Sequence, residues 1–468
     1  MNTFPQSFAV LPLSAAMQAN LAQLGFTEMT AIQALSLPKS LAGTDLIAQA
    51  QTGSGKTVAF GLSLLHRLDA SRMNVQSLVL CPTRELADQV AEVLRQLARA
   101  AENIKILTVC GGVPMRNQIA SLEFGAHVIV GTPGRILDHL ERGTLDLSQL
   151  NTLVLDEADR MLDMGFVEDI ATVVKAAPKN RQTLLFSATW PEGVAGLAQR
   201  FMRDPQTVKA EAAAAPRQIQ QIAFEVSEGD RLHAVSQLLL HYRPARTLAF
   251  CNTRQQCRDL VDVLQAQGIV ALALHGELEQ RERDQVLIQF TNSSCSVLVA
   301  TDVAARGLDI AELECVINVD IAADAESHLH RIGRTGRAGA EGLALNLASL
   351  DEMGRIGRIE QLLGYALKWK PLAEMTAASK APLLPAMDTL QILGGKKEKI
   401  RRGDILGALT GEAGFEAAQI GKIHVTDFHC YVAVERSIAR EVVKRLSDGK
   451  LKGRKVKVRR LADLAPLD

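Results

Sequence analysis

The chain has 468 residues, 47% apolar and 22% charged. That is an ordinary globular composition with material for about three domains, and it excludes a disordered or low-complexity chain. Lys+Arg and Asp+Glu balance at 52 each, yet residues 386–468 hold 17 basic against 11 acidic side chains and residues 1–385 hold 35 against 41. A basic tail on an acidic body points to a polyanionic partner at the C-terminal end. The seven cysteines have no CxxC or metal-ligand spacing, which argues against a disulfide framework and for buried thiols in a reducing, cytoplasmic setting. The N-terminus lacks the basic-then-apolar pattern of a signal peptide and no apolar run reaches membrane-spanning length, so no membrane partner is expected.

In chain order, residues 14–24 carry helical spacing, with Ser14 as N-cap and Gly25 as stop. The apolar run Leu46-Ile47-Ala48 then meets Ala50-Gln51-Thr52-Gly53-Ser54-Gly55-Lys56-Thr57, which opens into a helix. A strand feeding a tight glycine-containing loop into a helix is the P-loop arrangement. Backbone N–H groups and the positive helix end cradle phosphates, Lys56 reaches the outer phosphates and the Thr57 hydroxyl suits a magnesium ligand. Ala50 stands where the generic GxxxxGK[ST] pattern begins with Gly, so the pattern by itself leaves a plain strand-to-helix turn open.

Short apolar runs then alternate with amphipathic helices: strands at 77–81, 104–109, 128–131, 152–156 and 183–187, with helices at 84–99 and 134–141 between them. Runs that are apolar throughout suit strands buried on both faces of a parallel sheet. They predict one α/β domain over residues 1–207. Residues 204–221 carry Pro205, Pro216 and an alanine run and read as a linker. The alternation restarts with strands at 247–251, 270–274, 296–301, 315–319 and 343–347, a second α/β domain over 219–370 without a P-loop of its own. A Pro- and Ala-containing separator at 371–385 leads to a βαββαβ pattern over 386–468.

An apolar strand ending in Asp156-Glu157-Ala158-Asp159 is the second nucleotide signature. Asp156 at the strand end can hold magnesium, and Glu157 can position and deprotonate an attacking water. In the second domain, His330-Arg331-Ile332-Gly333-Arg334-Thr335-Gly336-Arg337 interleaves three arginines with glycines, a cluster of planar donors that cannot be buried without anions. Pro82-Thr83-Arg84, Gly111-Gly112 and Thr132-Pro133-Gly134-Arg135 each follow a strand. They offer hydroxyls, helix-start N–H groups and arginines, suited to phosphates and sugars more than to base edges.

With these motifs in place the chain resembles the DEAD-box RNA helicase family. The resemblance implies two tandem RecA-like parallel-sheet domains plus a small C-terminal α+β RRM-like domain, with ATP and Mg2+ as cofactors. It implies that Phe8, Phe26 and Gln33 form the adenine-reading segment, although MTAIQ stands here for the usual PTPIQ. The AxTGSGKT form of the P-loop explains Ala50. Thr83, Arg84, Gly112, Thr132 and Arg135 would bind the RNA backbone, joined from the second domain by Arg254, Gln280, Arg283 and Thr301. Ser187-Ala188-Thr189 would couple the ATP site to RNA. Asp309 would meet the ATP ribose, and Arg334 and Arg337 would be arginine fingers. Glu277 stands where many members have Asp. Hydrolysis would then await closure of one domain on the other, favoured by RNA.

The tail has the element order of an RRM but a poor match to its aromatic pattern: Tyr431 alone sits where the third strand's aromatics belong and the first strand offers none, which weakens the case for base stacking on the sheet. Its basic clusters are Lys396, Lys397, Arg401 and Arg402, and Lys450 through Arg460 including Lys452. The tail resembles the RNA-binding domain of one bacterial DEAD-box subfamily, which implies a large-subunit ribosomal RNA hairpin and pre-50S particles as partners. A DNA helicase, or an ATP-dependent RNA clamp without turnover, would share parts of this pattern.

Overall fold

A computed structural model describes residues 7–51, 53–190, 192–210, 219–305, 313–336, 341–379 and 381–463. Thr52, Asp309 and Arg337 lie outside the described residues. The chain divides into two compact units, one made chiefly of residues 1–214 and the other of residues beyond 214.

The first unit is built on seven strands: β1 (Leu46–Gln49), β2 (Ser77–Leu80), β3 (Ile106–Val109), β4 (Val128–Gly131), β5 (Thr152–Leu155), β6 (Gln182–Ser187) and β7 (Gln206–Lys209). They form one sheet in the order β3-β4-β2-β5-β6-β1-β7, parallel at every pairing. Neighbouring residues of one strand enter opposite cores. Ala48, Val79, Val154 and Phe186 pack with helices on one face; Ile47, Leu80, Leu155 and Leu185 pack on the other. This two-sided burial is why the strands read as apolar throughout, not alternating. One reading is corrected here: residues 206–209 are a strand, not linker, and the first unit runs past residue 207. Only Val208 of the four is buried, so this edge strand left almost no hydrophobic signal.

The second unit holds another seven-stranded sheet. Its strands are β8 (Ile219–Glu225), β9 (Thr247–Cys251), β10 (Ala271–Leu274), β11 (Val297–Thr301), β12 (Cys315–Asn318), β13 (Gly342–Ala348) and β14 (Lys368–Trp369). The order is β10-β11-β9-β12-β13-β8-β14, again all parallel. The separator at 371–385 is not a loose tether. Met375 and Leu383 are buried in this unit's core, and Gln237, His241 and Arg243 hold its carbonyl oxygens.

The tail, in the same compact unit, has β15 (Met387–Leu393), β16 (Ile420–Val425), β17 (His429–Glu435) and β18 (Val458–Arg460) in the antiparallel order β16-β17-β15-β18. Helices Arg402–Gly407 and Ala439–Asp448 cover one face through Ile405, Val442 and Leu446. The other face is covered too: Thr389, Gln391, Tyr431 and Ala433 are all buried. It lies against helix Gln280–Thr291 and the turn that follows. Thr389 Oγ1 meets Ser294 Oγ at 2.7 Å and accepts from Asn292 Nδ2 at 3.2 Å, and the Met387 N–H donates to the Ser293 carbonyl. His424 Nε2 reaches Asn292 Oδ1 at 3.1 Å. Tyr431 spends its hydroxyl on Gln391. The face on which an RRM ordinarily stacks bases is therefore closed.

All seven cysteines are free and buried. Among the described residues no helix is long and apolar enough to cross a membrane.

Candidate nucleotide and nucleic-acid sites

In the first sheet β5, β6 and β1 are adjacent, so their carboxyl ends bring three motifs side by side: Asp156-Glu157, Ser187-Ala188-Thr189 and the P-loop. Crevices beyond the carboxyl ends of parallel strands are where such sheets bind ligands. Ala50 sits at the exit of β1, 4% exposed, its N–H bonded to the Ser187 carbonyl. Burial beside β6 is the physical reason a small side chain stands there. Gly55 caps the helix Lys56–His66 with φ +92°, and a Cβ on it would lie 2.5 Å from Gln33 Nε2. Glycine is required on both counts. Lys56 is buried and its Nζ donates to the Ala50 carbonyl at 2.9 Å, folded back along the loop whose phosphates it would meet. Thr57 follows on the first helical turn; Gln51 and Gly53 are exposed, and Ser54 closes the loop by donating to the Gln51 carbonyl.

Gln33 ties two segments together. Its Oε1 accepts from the Thr30 N–H at 2.9 Å and its Nε2 donates to the Gly55 carbonyl at 3.1 Å. One amide hydrogen and one lone pair remain for a base edge. Phe26 is half-buried nearby in sequence, whereas Phe8 is 5% exposed within the first core, so any influence of Phe8 on a nucleotide acts through packing.

Asp156 and Glu157 are 3% and 4% exposed. Burial pushes the Asp156 carboxyl up to about 7, against the pull of the Lys56 charge. A buried acid so disfavoured in its charged form suits a site where a cation joins it. Glu157 adopts φ 50°, ψ 52°, the left-handed region that non-glycine residues enter at a cost of about 1–3 kcal/mol. Its carbonyl accepts from the Arg160 N–H, and its Oε2, which lacks a hydrogen-bond partner, lies 3.3 Å from Arg160 Nη1. Asp159 closes the circuit, with Oδ2 accepting from the Thr189 hydroxyl and from the N–H groups of Ala188 and Thr189. This link between the acidic motif and Ser187-Ala188-Thr189 was not legible in the sequence, since nothing local marks a contact thirty residues away.

The residues proposed for RNA stand in the loops and first helical turns that follow the strands, or at a strand end, with differing commitments. Thr83 caps the helix Arg84–Leu97 by accepting from the Leu86 N–H. Arg84 lies along Gly111, where a Cβ would come within 2.8 Å of its guanidinium. Gly112 has φ +77°. Thr132 precedes the helix Pro133–Glu141, and Arg135 donates to the Val113 carbonyl and Gln118 Oε1, holding that loop. In the second unit Arg254 pairs with Glu277 at 2.6 Å and Arg258 with the other oxygen at 2.5 Å, so Glu277 positions both arginines. Gln280 bonds Asp284, Arg283 donates to the Ala304 carbonyl, and Thr301 ends β11.

Burial divides the arginine motif. Arg331 is 2% exposed and clamped: bidentate to Asp302 at 2.7 and 2.6 Å, with Asn318 Oδ1 and the Asp320 carbonyl as further acceptors. Its guanidinium also stacks over Phe250. It joins the ends of β11 and β12 to the helix Ala325–Ile332. Arg331→Ala is expected to destabilise the second unit by about 3–5 kcal/mol, because a charge clamp is broken in a buried setting; a lowered thermal transition would show it, and an unchanged melt would contradict it. Burial, aided by the Arg331 charge, pushes His328 down to about 4, so it stays neutral against Gln221. Arg334 is 4% exposed. In the tail Lys396, Lys397, Arg401 and Arg402 are exposed. Lys452 is a structural bridge, with Nζ on the Lys399 carbonyl at 2.6 Å and near Asp404 at 3.3 Å.

Comparison with known proteins gives the family of each part of the chain. Residues 30–197 match the DEAD/DEAH box helicase model, 230–339 the helicase conserved C-terminal domain and 389–460 the DbpA RNA binding domain. The chain is 52% identical over 450 residues to the ATP-dependent RNA helicase DbpA of Escherichia coli, covering 96% of this chain and 98% of that one. It is 45% identical over 356 residues to the DEAD-box ATP-dependent RNA helicase CshA of Bacillus cereus, covering 76% and 68%. Among solved structures, S. cerevisiae Dbp5 bound to RNA and ADP BeF3 superposes with a TM-score of 0.72 at 30% identity, covering 79% of this chain and 96% of that one.

Proposed function

We propose, on the premise that the chain belongs to the DEAD-box family of ATP-dependent RNA helicases, that it locally unwinds or remodels RNA and is directed by its tail to large-subunit ribosomal RNA during 50S assembly in the cytoplasm. The observation that carries this reading is the tail: the match to the DbpA RNA binding domain over 389–460, within a relationship that runs nearly end to end.

In this reading each side chain has one task. The P-loop amides and Lys56 hold the ATP phosphates, Gln33 offers its spare amide groups to adenine, and Glu157 takes the proton of the attacking water. Thr57 and Asp156 would hold Mg2+, which when bound offsets phosphate charge. Arg334, with Arg337, meets charge developing at the transferred phosphoryl group. Asp309 would contact the ribose. Thr83, Arg84, Gly112, Thr132 and Arg135 of the first unit, and Arg254, Gln280, Arg283 and Thr301 of the second, would each contact the RNA backbone, which positions RNA without reading its sequence. Lys396, Lys397, Arg401, Arg402 and Lys452 supply the selective grip of the tail, Lys452 from an exposed position tied to Asp404 and the Lys399 carbonyl.

Removing residues 386–468 tests the division of labour. The shortened chain is expected to hydrolyse ATP with generic RNA but to lose any preference for ribosomal RNA, measured as phosphate release with each RNA. A preference that survives the deletion would remove targeting from the tail.

A further inference from the structure

The aromatic side chains of the tail differ sharply in exposure. Of the three Phe and Tyr residues in 386–468, Phe415 is 8% and Tyr431 5% exposed, and both belong to the tail's interior. Phe428 is 56% exposed. It stands in the turn between β16 and β17, off the sheet face that helix Gln280–Thr291 covers.

The surroundings of Phe428 are built, not incidental. The turn 426–428 runs alongside the segment 394–397: the Gly394 N–H donates to the Phe428 carbonyl, Lys396 N–H to Thr426 and Lys397 N–H to Asp427. A Cβ on Gly395 would lie 2.3 Å from the Thr426 carbonyl oxygen, so glycine is needed for the two loops to touch. Gly394, at φ +135°, shapes the same approach. The close approach of the Gly394-Gly395 run brings Lys397 beside the ring. Lys397 Nζ sits 4.1 Å from the centre of the Phe428 ring, a cation–π contact. Lys396, Arg401 and Arg402 are exposed on the same segment.

An exposed ring fixed beside a cation, with further cations on the flanking loop, is the chemistry that takes an unpaired base together with its phosphate. We infer that Phe428 and Lys397 form a stacking platform for one unpaired RNA base, in place of the closed sheet face, with Lys396 and Arg401 on the flanking phosphates. This rests on the tail's proposed RNA-binding role.

The test uses the full chain and two fluorescein-labelled RNAs of equal length, a hairpin with an unpaired loop and a blunt duplex, read by anisotropy. Phe428→Ala is expected to weaken hairpin binding by roughly 5- to 100-fold and to leave duplex binding nearly unchanged, while Phe428→Trp retains hairpin affinity. Equal hairpin affinities for wild type and Phe428→Ala would overturn the platform, as would equal losses on hairpin and duplex. A Lys396→Ala/Arg401→Ala/Arg402→Ala variant separates the two levels of the reading. If it weakens binding and Phe428→Ala does not, only the platform fails; if neither weakens binding, the tail's RNA-binding role fails with it.

Discussion

Glu157→Gln is expected to stop turnover while leaving ATP and RNA bound. The carboxylate is 4% exposed, on a backbone held in the left-handed region at the end of β5, with Oε2 lacking a hydrogen-bond partner. That oxygen lies 3.3 Å from Arg160 Nη1, which holds the carboxylate in place within the acidic motif. Glutamine keeps the shape and the Asp156 contact through the main chain but has no basic oxygen of comparable strength. General-base removal costs roughly 10²- to 10⁴-fold in kcat. ATP affinity should move little, because Lys56 and the loop amides are untouched. Single-turnover phosphate release alongside a nucleotide titration checks both halves. Hydrolysis within a few-fold of wild type would take Glu157 out of the base role.

Arg334→Ala should be comparably severe, for a different reason. An arginine finger stabilises charge that exists only in the transition state, and its loss costs roughly 10³- to 10⁵-fold in kcat with a small effect on ATP binding. Arg334→Lys is expected to recover little, since an ammonium lacks the planar fork. Because Arg334 is buried at 4% exposure, a thermal melt belongs beside the kinetics. A variant that melts like wild type yet hydrolyses ATP within about tenfold of it would end the finger assignment. Arg331→Ala, three positions away, should show the opposite pattern, stability lost first.

That contrast marks where sequence reading stops. The parallel sheets were legible because their strands are buried on both faces, so Leu78, Val79 and Leu80 all read as core. The P-loop and Asp156-Glu157 were legible because their chemistry is local in sequence. The arginine motif was legible as a cluster, but not its division: Arg331 acquires its partners Asp302 and Asn318 only through folding. The strand Gln206–Lys209 hid for lack of apolar residues, and the docked separator hid because much of its anchoring is its own backbone carbonyls, held by Gln237, His241 and Arg243. In the sequence Lys452 reads as one more basic residue, and its ties to Asp404 and the Lys399 carbonyl arise only through folding. Phe428 lies in a turn, outside the strand positions where RRM aromatics are marked in sequence.

The measurement closest to the central claim is phosphate release by the full chain with Mg·ATP, comparing large-subunit ribosomal RNA fragments with unrelated RNA and with DNA of matched length. ATPase strongly stimulated by the ribosomal fragments, weakly by unrelated RNA and not by DNA is the expected result. Equal stimulation by ribosomal and unrelated RNA, or by DNA, would contradict it.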